Sequence, residues 1–290
     1  MSPETRMAVA ARAAENTAAP VREFTISGAP RLVENVRELW AYRELFFFLA
    51  WRDITIRYRQ TLLGAAWAVL QPLVTMVVFS VLFGTVVKVP TNGIPTPIFY
   101  FGALLPWIYF STTIAAAGNS LLVNAPLIKK VYFPRIVLPA SAALIGLVDF
   151  AIGAVILVLM MGFYGVLSWR LLLWLPLTAL LSLFSLAVGA FLAALNVKYR
   201  DVKHAIPFVV QIWLFLTPVI YPTTAVPARF KLLIALNPLS GIIEAFRAAT
   251  MPAAGLDWPN LWLSVALTLG VLALSLAYFR RAEGKFVDIV

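Results

Sequence analysis

The feature that most limits what this chain can fold into is a series of apolar runs, each about 20 residues or longer, that carry almost no charge. A helix rises about 1.5 Å per residue, so such a run matches the roughly 30 Å of hydrocarbon in a bilayer. In that medium only helices and closed barrels satisfy every backbone N–H and C=O. Barrel strands would alternate apolar and polar residues over about ten positions, and no such alternation runs along this sequence. The chain therefore reads as an all-α membrane protein. With 62% hydrophobic and 12% charged residues, its whole length, and not a single anchor, belongs with lipid.

Six spans are predicted, over residues 61–87, 97–123, 135–161, 170–195, 206–221 and 259–279. Of the 23 lysines and arginines, Lys88, Arg170, Arg229, Lys231 and Arg247 fall on one side of this alternation and all the others on the second. By the positive-inside rule the second side, with both termini, is predicted to be cytoplasmic. The net charge of +10 flanks the spans and does not gather on a polar domain, which argues against nucleic acid as a partner. The absence of cysteine excludes disulfides, thiolate catalysis and cysteine-based zinc sites, and the single His204 excludes a histidine metal cluster.

Residues 1–29 lack the apolar core of a cleaved signal and read as a disordered cytoplasmic tail. Residues 30–60 are amphipathic, with Leu32, Val36, Leu39 or Trp40, Phe46 and Leu49 or Ala50 at roughly helical spacing among Arg and Glu. Such a helix lies in the interface with Trp40 and Trp51 at headgroup level, either as an anchor or as a moving element. Residues 61–290 form the transmembrane domain. Between its last two spans Pro227, Pro238 and Pro252 divide an apolar segment into pieces of about 228–236 and 239–249. These are too short to cross and are predicted to be re-entrant half-helices, serving as an exit gate or as a structural cap.

No G-x-x-x-x-G-K-[ST] loop occurs, so the chain does not hold ATP in the usual way. Looser small-residue pairs, Gly64 with Ala68 and Gly189 with Ala193, suit close helix approach. Asp149 is the one acid well inside a predicted span, either a proton or cation site or a carboxyl hydrogen-bonded within the bundle. Glu244 and Arg247, three apart, are placed to pair on a half-helix. The aromatics Trp107, Tyr109 and Phe110 near the start of the second span, with Trp213, Phe215 and Tyr221 in the fifth, are interfacial belt residues or the lining of a substrate path. The stretch NAPLIKKVYFPR, residues 124–135, interrupts the oily pattern. There Pro126 and Pro134 bracket Leu127, Ile128, Val131 and Phe133, which read as an apolar plug, with Lys129 and Lys130 as a charged rim.

Six segments in register carry a resemblance: LAWRDITIRYRQTLLGAAWAVLQPL (49–73), NAPLIKKVYFPRIVLP (124–139), NVKYRDV (196–202), TPVIYP (217–222), LNPLSGIIEAFR (236–247) and EGKFVDIV (283–290). Over about residues 44–290 the chain resembles the permease subunits of type-2 ABC exporters of O-antigen, capsular polysaccharide or teichoic acid. The resemblance implies a permease homodimer in the bacterial inner membrane, joined to two copies of a separate ATPase that binds ATP and Mg. The expected cargo is an undecaprenyl-linked polysaccharide, and the expected route a continuous channel lined partly by the aromatics named above. The loop Asn124 to Pro134 matches the coupling helix that docks on the ATPase, and Lys198, Tyr199, Arg200 and Asp201 a second contact. The helix before the first span matches a gate or connecting helix, where Arg52, Arg57 and Arg59 are candidates to meet the lipid diphosphate. An exporter of drugs or other lipids would share the fold, and a secondary transporter would instead depend on Asp149.

Overall fold

A computed structural model describes residues 40–59, 66–91, 93–250 and 255–284. The predicted tail, the start of the interfacial helix, Gly64 and the last residues, 285–290, lie outside the described residues. Regular structure among the described residues is helical throughout. Helix α1 is Arg43–Arg59, and α2, Ala66–Val86, ends in a π-helical stretch, Ser80–Val86. Next come α3 Thr96–Val123, the short α4 Ala125–Lys130 and α5 Val137–Phe163. A 3₁₀ turn, Trp169–Leu173, leads into α6 Trp174–Lys198. The chain finishes with α7 Val202–Leu216, α8 Ala228–Ala235, α9 Pro238–Thr250 and α10 Trp258–Glu283.

Five helical segments are long and apolar enough to cross a membrane: 66–86, 96–123, 137–163, 169–198 and 258–283. The fifth predicted span differs, because α7 stops at Leu216 after 15 residues, about 22 Å. Its end has a local cause. Thr217 precedes Pro218 and takes the extended conformation that a following proline favours, with φ −108° and ψ 138°. The remaining depth is filled by α8 and α9, which are bent 98° against each other and together make up either a broken sixth span or a re-entrant loop.

Helix α3 is the axis of the bundle. Its residues Tyr100, Phe101, Phe110, Ile114 and Leu121 are wholly buried, and α5, α6 and α9 pack around it. Gly189 lets α6 approach α3 closely, since a Cβ there would come within 2.6 Å of the Ala117 methyl. Gly241 does the same for α9 against α10, where an added Cβ would sit 2.9 Å from the Asn260 carbonyl oxygen. The core divides into a large cluster that includes the start of α3 and a smaller one at its far end, formed by Leu49, Leu121, Ile128, Phe133, Val137, Val197 and Phe279. Helix α2 contrasts with α3, for Trp67, Val74, Val77, Val78 and Val81 leave most of its surface uncovered. In a membrane protein such a face meets lipid or another chain at no hydrophobic cost.

Candidate functional site

At the far end of α3 the chain turns sharply at Asn124. The Asn124 amide donates to the Ser120 carbonyl at 2.9 Å, and its side-chain oxygen accepts from the Arg52 guanidinium of α1 at 2.9 Å. Pro126 then sits in the first turn of α4, where its missing N–H costs nothing. After two turns at most, Val131 is extended (φ −133°), and the segment ends at Pro134. The four residues read as an apolar plug do not share one face. Ile128 and Phe133 are buried in the protomer's own small core, Leu127 is half-buried, and only Val131 is exposed. The outer surface is instead Pro126, Lys129, Lys130, Val131 and Tyr132. Tyr132, two-thirds exposed, escaped the sequence reading although it lies inside the segment that prompted it. The exit from this knot is fixed by Arg135, whose backbone N–H donates to the Glu283 carboxylate at 2.9 Å, tying the loop to the end of α10.

The second loop, Lys198, Tyr199, Arg200 and Asp201, lies at the same end of the bundle, and all four residues are exposed. Its anchor is Asn196, wholly buried: the amide donates to the Gly118 carbonyl at 3.0 Å and to the Asn119 side-chain oxygen at 3.1 Å, and its own oxygen accepts the Lys203 N–H at 3.1 Å. Asparagines on α3 and α6 thus hold both loops to one helix end. Sequence reasoning passed over Asn196; its signal was a polar residue at the end of a span, just before a basic loop.

The three arginines proposed for an anion are not equivalent. Arg52 donates to Asp53 at 2.7 Å as well as to Asn124. Arg57 pairs with Asp149 of α5 at 2.7 Å, and the Tyr58 hydroxyl donates to the same carboxylate. Burial, then the hydrogen bond to Asp149, pushes the Tyr58 phenol up to about 12, so it remains a donor at any physiological pH. Arg59 is exposed at the end of α1.

The opposite end of α3 meets the broken segment. Pro218 ends α7 and leaves buried backbone carbonyls that need donors. Arg247, 3% exposed, supplies them: one terminal nitrogen donates to the Pro218 and Val219 carbonyls at 2.9 and 3.1 Å. The other donates to Glu244 at 3.1 Å, and the guanidinium lies 4.1 Å from the centre of the Phe99 ring. Glu244 in turn accepts the Thr223 N–H at 2.9 Å. The pair therefore staples residues 218–223 to α9. Asn237 does similar work, accepting from the Trp213 indole at 3.1 Å and from the Leu239 N–H at 3.2 Å, while donating to the Thr217 hydroxyl at 2.9 Å.

The six candidate path aromatics separate cleanly. Trp107, Tyr109 and Phe110 are buried within the protomer. Phe110 stacks on Phe184 at 5.4 Å, and the Tyr109 hydroxyl donates to Ser182 at 2.9 Å. They belong to the protomer's core in this conformation. Trp213, Phe215 and Tyr221 line an open apolar cavity of about 760 Å³, closed on its other side by Pro227, Phe230 and Leu233 of the α8 segment. A smaller, more polar cavity of about 440 Å³ lies beside Glu244, Arg247, Asp257 and Asn260. No cluster of metal-ligating side chains occurs among the described residues.

Residues 44–251 match the ABC-2 type transporter family. An O-antigen export system permease protein of Myxococcus xanthus, RfbA, is 32% identical over 264 residues, covering 89% of this chain and all of that relative. The protein of the same name from Klebsiella pneumoniae is 27% identical over 253 residues, covering 85% of this chain and 95% of its own. The polysialic acid transport protein KpsM of Escherichia coli is 24% identical over 243 residues, covering 80% and 91%. The match spans α1 to α9 and includes both exposed loops and the stapled break between α7 and α9: this chain belongs to the ABC-2 type transporter family.

Proposed function

We propose that this chain is the channel-forming subunit of an ATP-driven exporter that carries a lipid-linked polysaccharide across the bacterial inner membrane. Both termini and α4 are then cytoplasmic, in line with the distribution of lysine and arginine. Two copies would flank the path, and a separate ATPase, two copies per complex, would bind ATP and Mg. The relatives named above support the cargo class, since they are permeases of O-antigen and polysialic acid systems.

The observation that carries the reading is the end of the bundle formed by α4. Its inward residues, Ile128 and Phe133, complete the protomer core, while Lys129, Lys130, Val131 and Tyr132 face outward with their backbone held by Asn124 and Arg135. A rigid, two-turn knob with a cationic and aromatic outer face suits docking in a groove of a partner. ATP binding there would favour one arrangement of the permease through the contacts that differ between states. Phe215, Trp213 and Tyr221 are the aromatics left open to a passing sugar, and Arg59, exposed at the end of α1, is the arginine left for the lipid phosphate. Asp149 is engaged by Arg57 and Tyr58, which gives the carboxylate a structural occupation and weakens a proton-site reading.

Deleting the gene should remove polysaccharide from the cell surface and leave lipid-linked chains inside. Wild-type sequence should restore export, whereas Lys129→Glu combined with Lys130→Glu should restore neither export nor co-purification of the ATPase. Unchanged surface polysaccharide in the deletion strain would refute the cargo assignment, and full ATPase recovery with the double variant would refute the docking face.

A further inference from the structure

We propose that Arg57, Tyr58 and Asp149 form a polar latch that holds α1 on α5, and that Arg52, through Asn124, ties the same helix to α4, making these five positioning residues of one lever. Apart from these bridges, α1 sits against the small core through Leu45, Phe46 and Leu49. Only Leu49 and Ala50 among its described residues are buried, and the seam with α5 is open along an apolar groove of about 480 Å³ between Phe47, Trp51 and Ile54 on one side and Leu144, Leu147 and Val148 on the other. Across that seam the polar bridges stand at two levels. Near the α4 end Arg52 reaches Asn124 at 2.9 Å; deeper along α5, Arg57 reaches Asp149 at 2.7 Å and Tyr58 donates to it.

The geometry makes the bridges act together. Leu49, Asp53 and Arg57 recur every four residues and so share one stripe of α1, with Arg52 beside it. A helix fixed at two points five residues apart cannot rotate or slide at one without straining the other. Asn124 is also the residue from which α4 starts, so a displacement of α4 pulls on the Arg52 guanidinium directly. Asp149 has meanwhile a reason to lie within a span: it sits 17% exposed, opposite the one arginine of α1 that reaches it. The latch itself depends on no partner; its connection to ATP rests on the docking reading of α4.

Hydrogen exchange of the full chain in lipid nanodiscs, alone and with its ATPase, separates the latch from the tie. Asp149→Ala should speed exchange of α1 amides roughly tenfold in the permease alone, and Arg57→Asp should do the same. Exchanging the charges, Arg57→Asp with Asp149→Arg, should bring the rates back to within about threefold of the original. Asp149→Asn keeps the shape and an acceptor for Tyr58, should fall between, and carries the test if the alanine variant is not recovered. Original rates in every Asp149 variant, or a charge exchange no slower than either single change, would overturn the latch. In the complex, ATP should alter α1 exchange in the original chain and not in Arg52→Ala; no ATP response in the original, or its persistence in the variant, would overturn the tie to α4. An intact ATP response without polysaccharide export would refute the cargo and spare the lever.

Discussion

The interruption between α3 and α5 turns its two lysines outward, whereas the one between α7 and α10, with Arg229 and Lys231 exposed, buries its third cation, Arg247. In the first, Lys129 and Lys130 face outward and Ile128 and Phe133 fill the protomer's core. In the second, Arg247 is buried while Phe215 and Phe230 are left open. The backbone explains the difference. Asn124, bonded to Ser120, and Arg135, bonded to Glu283, settle the first break at a helix end without drawing on Lys129 or Lys130, which stay exposed. The second break leaves the buried carbonyls of Pro218 and Val219 in need of donors, and a guanidinium is committed to them. Proline-bracketed breaks in one oily chain thus differ in how their backbone is satisfied, and only the second commits a cation to it.

The strongest way to break this contrast is to remove the buried cation. Arg247→Ala leaves two carbonyls without donors and Glu244 without its counter-charge, and loss of one member of a buried pair costs about 3–5 kcal/mol. Little folded protein should reach the membrane, as judged by fluorescence size-exclusion of a tagged chain. Arg247→Lys should recover only part of it, because one ammonium cannot reproduce the planar fork that reaches Glu244 and both carbonyls. Normal levels and thermal stability of Arg247→Ala would show that the break carries itself.

The α4 knob gives the next largest effect, and it distinguishes its two faces. Ile128→Asp places a carboxylate in an apolar core and should cost about 3 kcal/mol or more, lowering the amount of folded chain. Tyr132→Asp, on the outer face, should change stability by no more than about 0.5 kcal/mol. It should nevertheless weaken ATPase co-purification by roughly tenfold or more, as loss of an aromatic anchor does. Equal effects of the two variants on stability would erase the inside-outside distinction. A smaller effect is expected on the second loop. Asn196→Ala leaves the Lys203 N–H and the Asn119 oxygen short of a partner, at about 1–3 kcal/mol, visible as a lower melting temperature with ATPase binding weakened in proportion.

Much of the architecture could be read in advance because bilayer thickness dictates it: a run such as 137–163 has one solution. The half-helices that Pro227 and Pro238 begin were readable too, but the fifth span, predicted over 206–221, ran past Pro218, and the path of the chain beyond such breaks was not readable. Nothing local tells that the carbonyls left where α7 stops find an arginine almost thirty residues on. Sequence proximity did place Glu244 beside Arg247, at one turn of separation, while the bond from Arg57 to Asp149 spans more than ninety positions and leaves no periodic trace. The aromatics show the deeper limit. In water an apolar stripe marks the buried face of a helix, but in lipid both faces are apolar, so Phe110 and Phe215 look alike in sequence and differ completely in burial. The α4 segment hides its two faces for a related reason: six helical residues continuing into an extended stretch have no single period from which to sort inside from outside.

Tyr221→Phe gives the smallest change and sharpens the comparison most at the open cavity. The hydroxyl donates to the Phe215 carbonyl at 3.1 Å in an exposed position, so water can replace it and the cost to stability should stay below about 1 kcal/mol. The ring itself remains as a wall of the 760 Å³ cavity. If the cavity offers a sugar only an apolar aromatic face, export should persist at near the original rate, while Tyr221→Ala, which removes that face, should slow it. Should Tyr221→Phe instead slow export as much as Tyr221→Ala, with stability unchanged, the hydroxyl rather than the ring is what the cargo meets. The break between α7 and α10 would then present a polar group to its ligand, as the proposed docking face of α4 would to its partner.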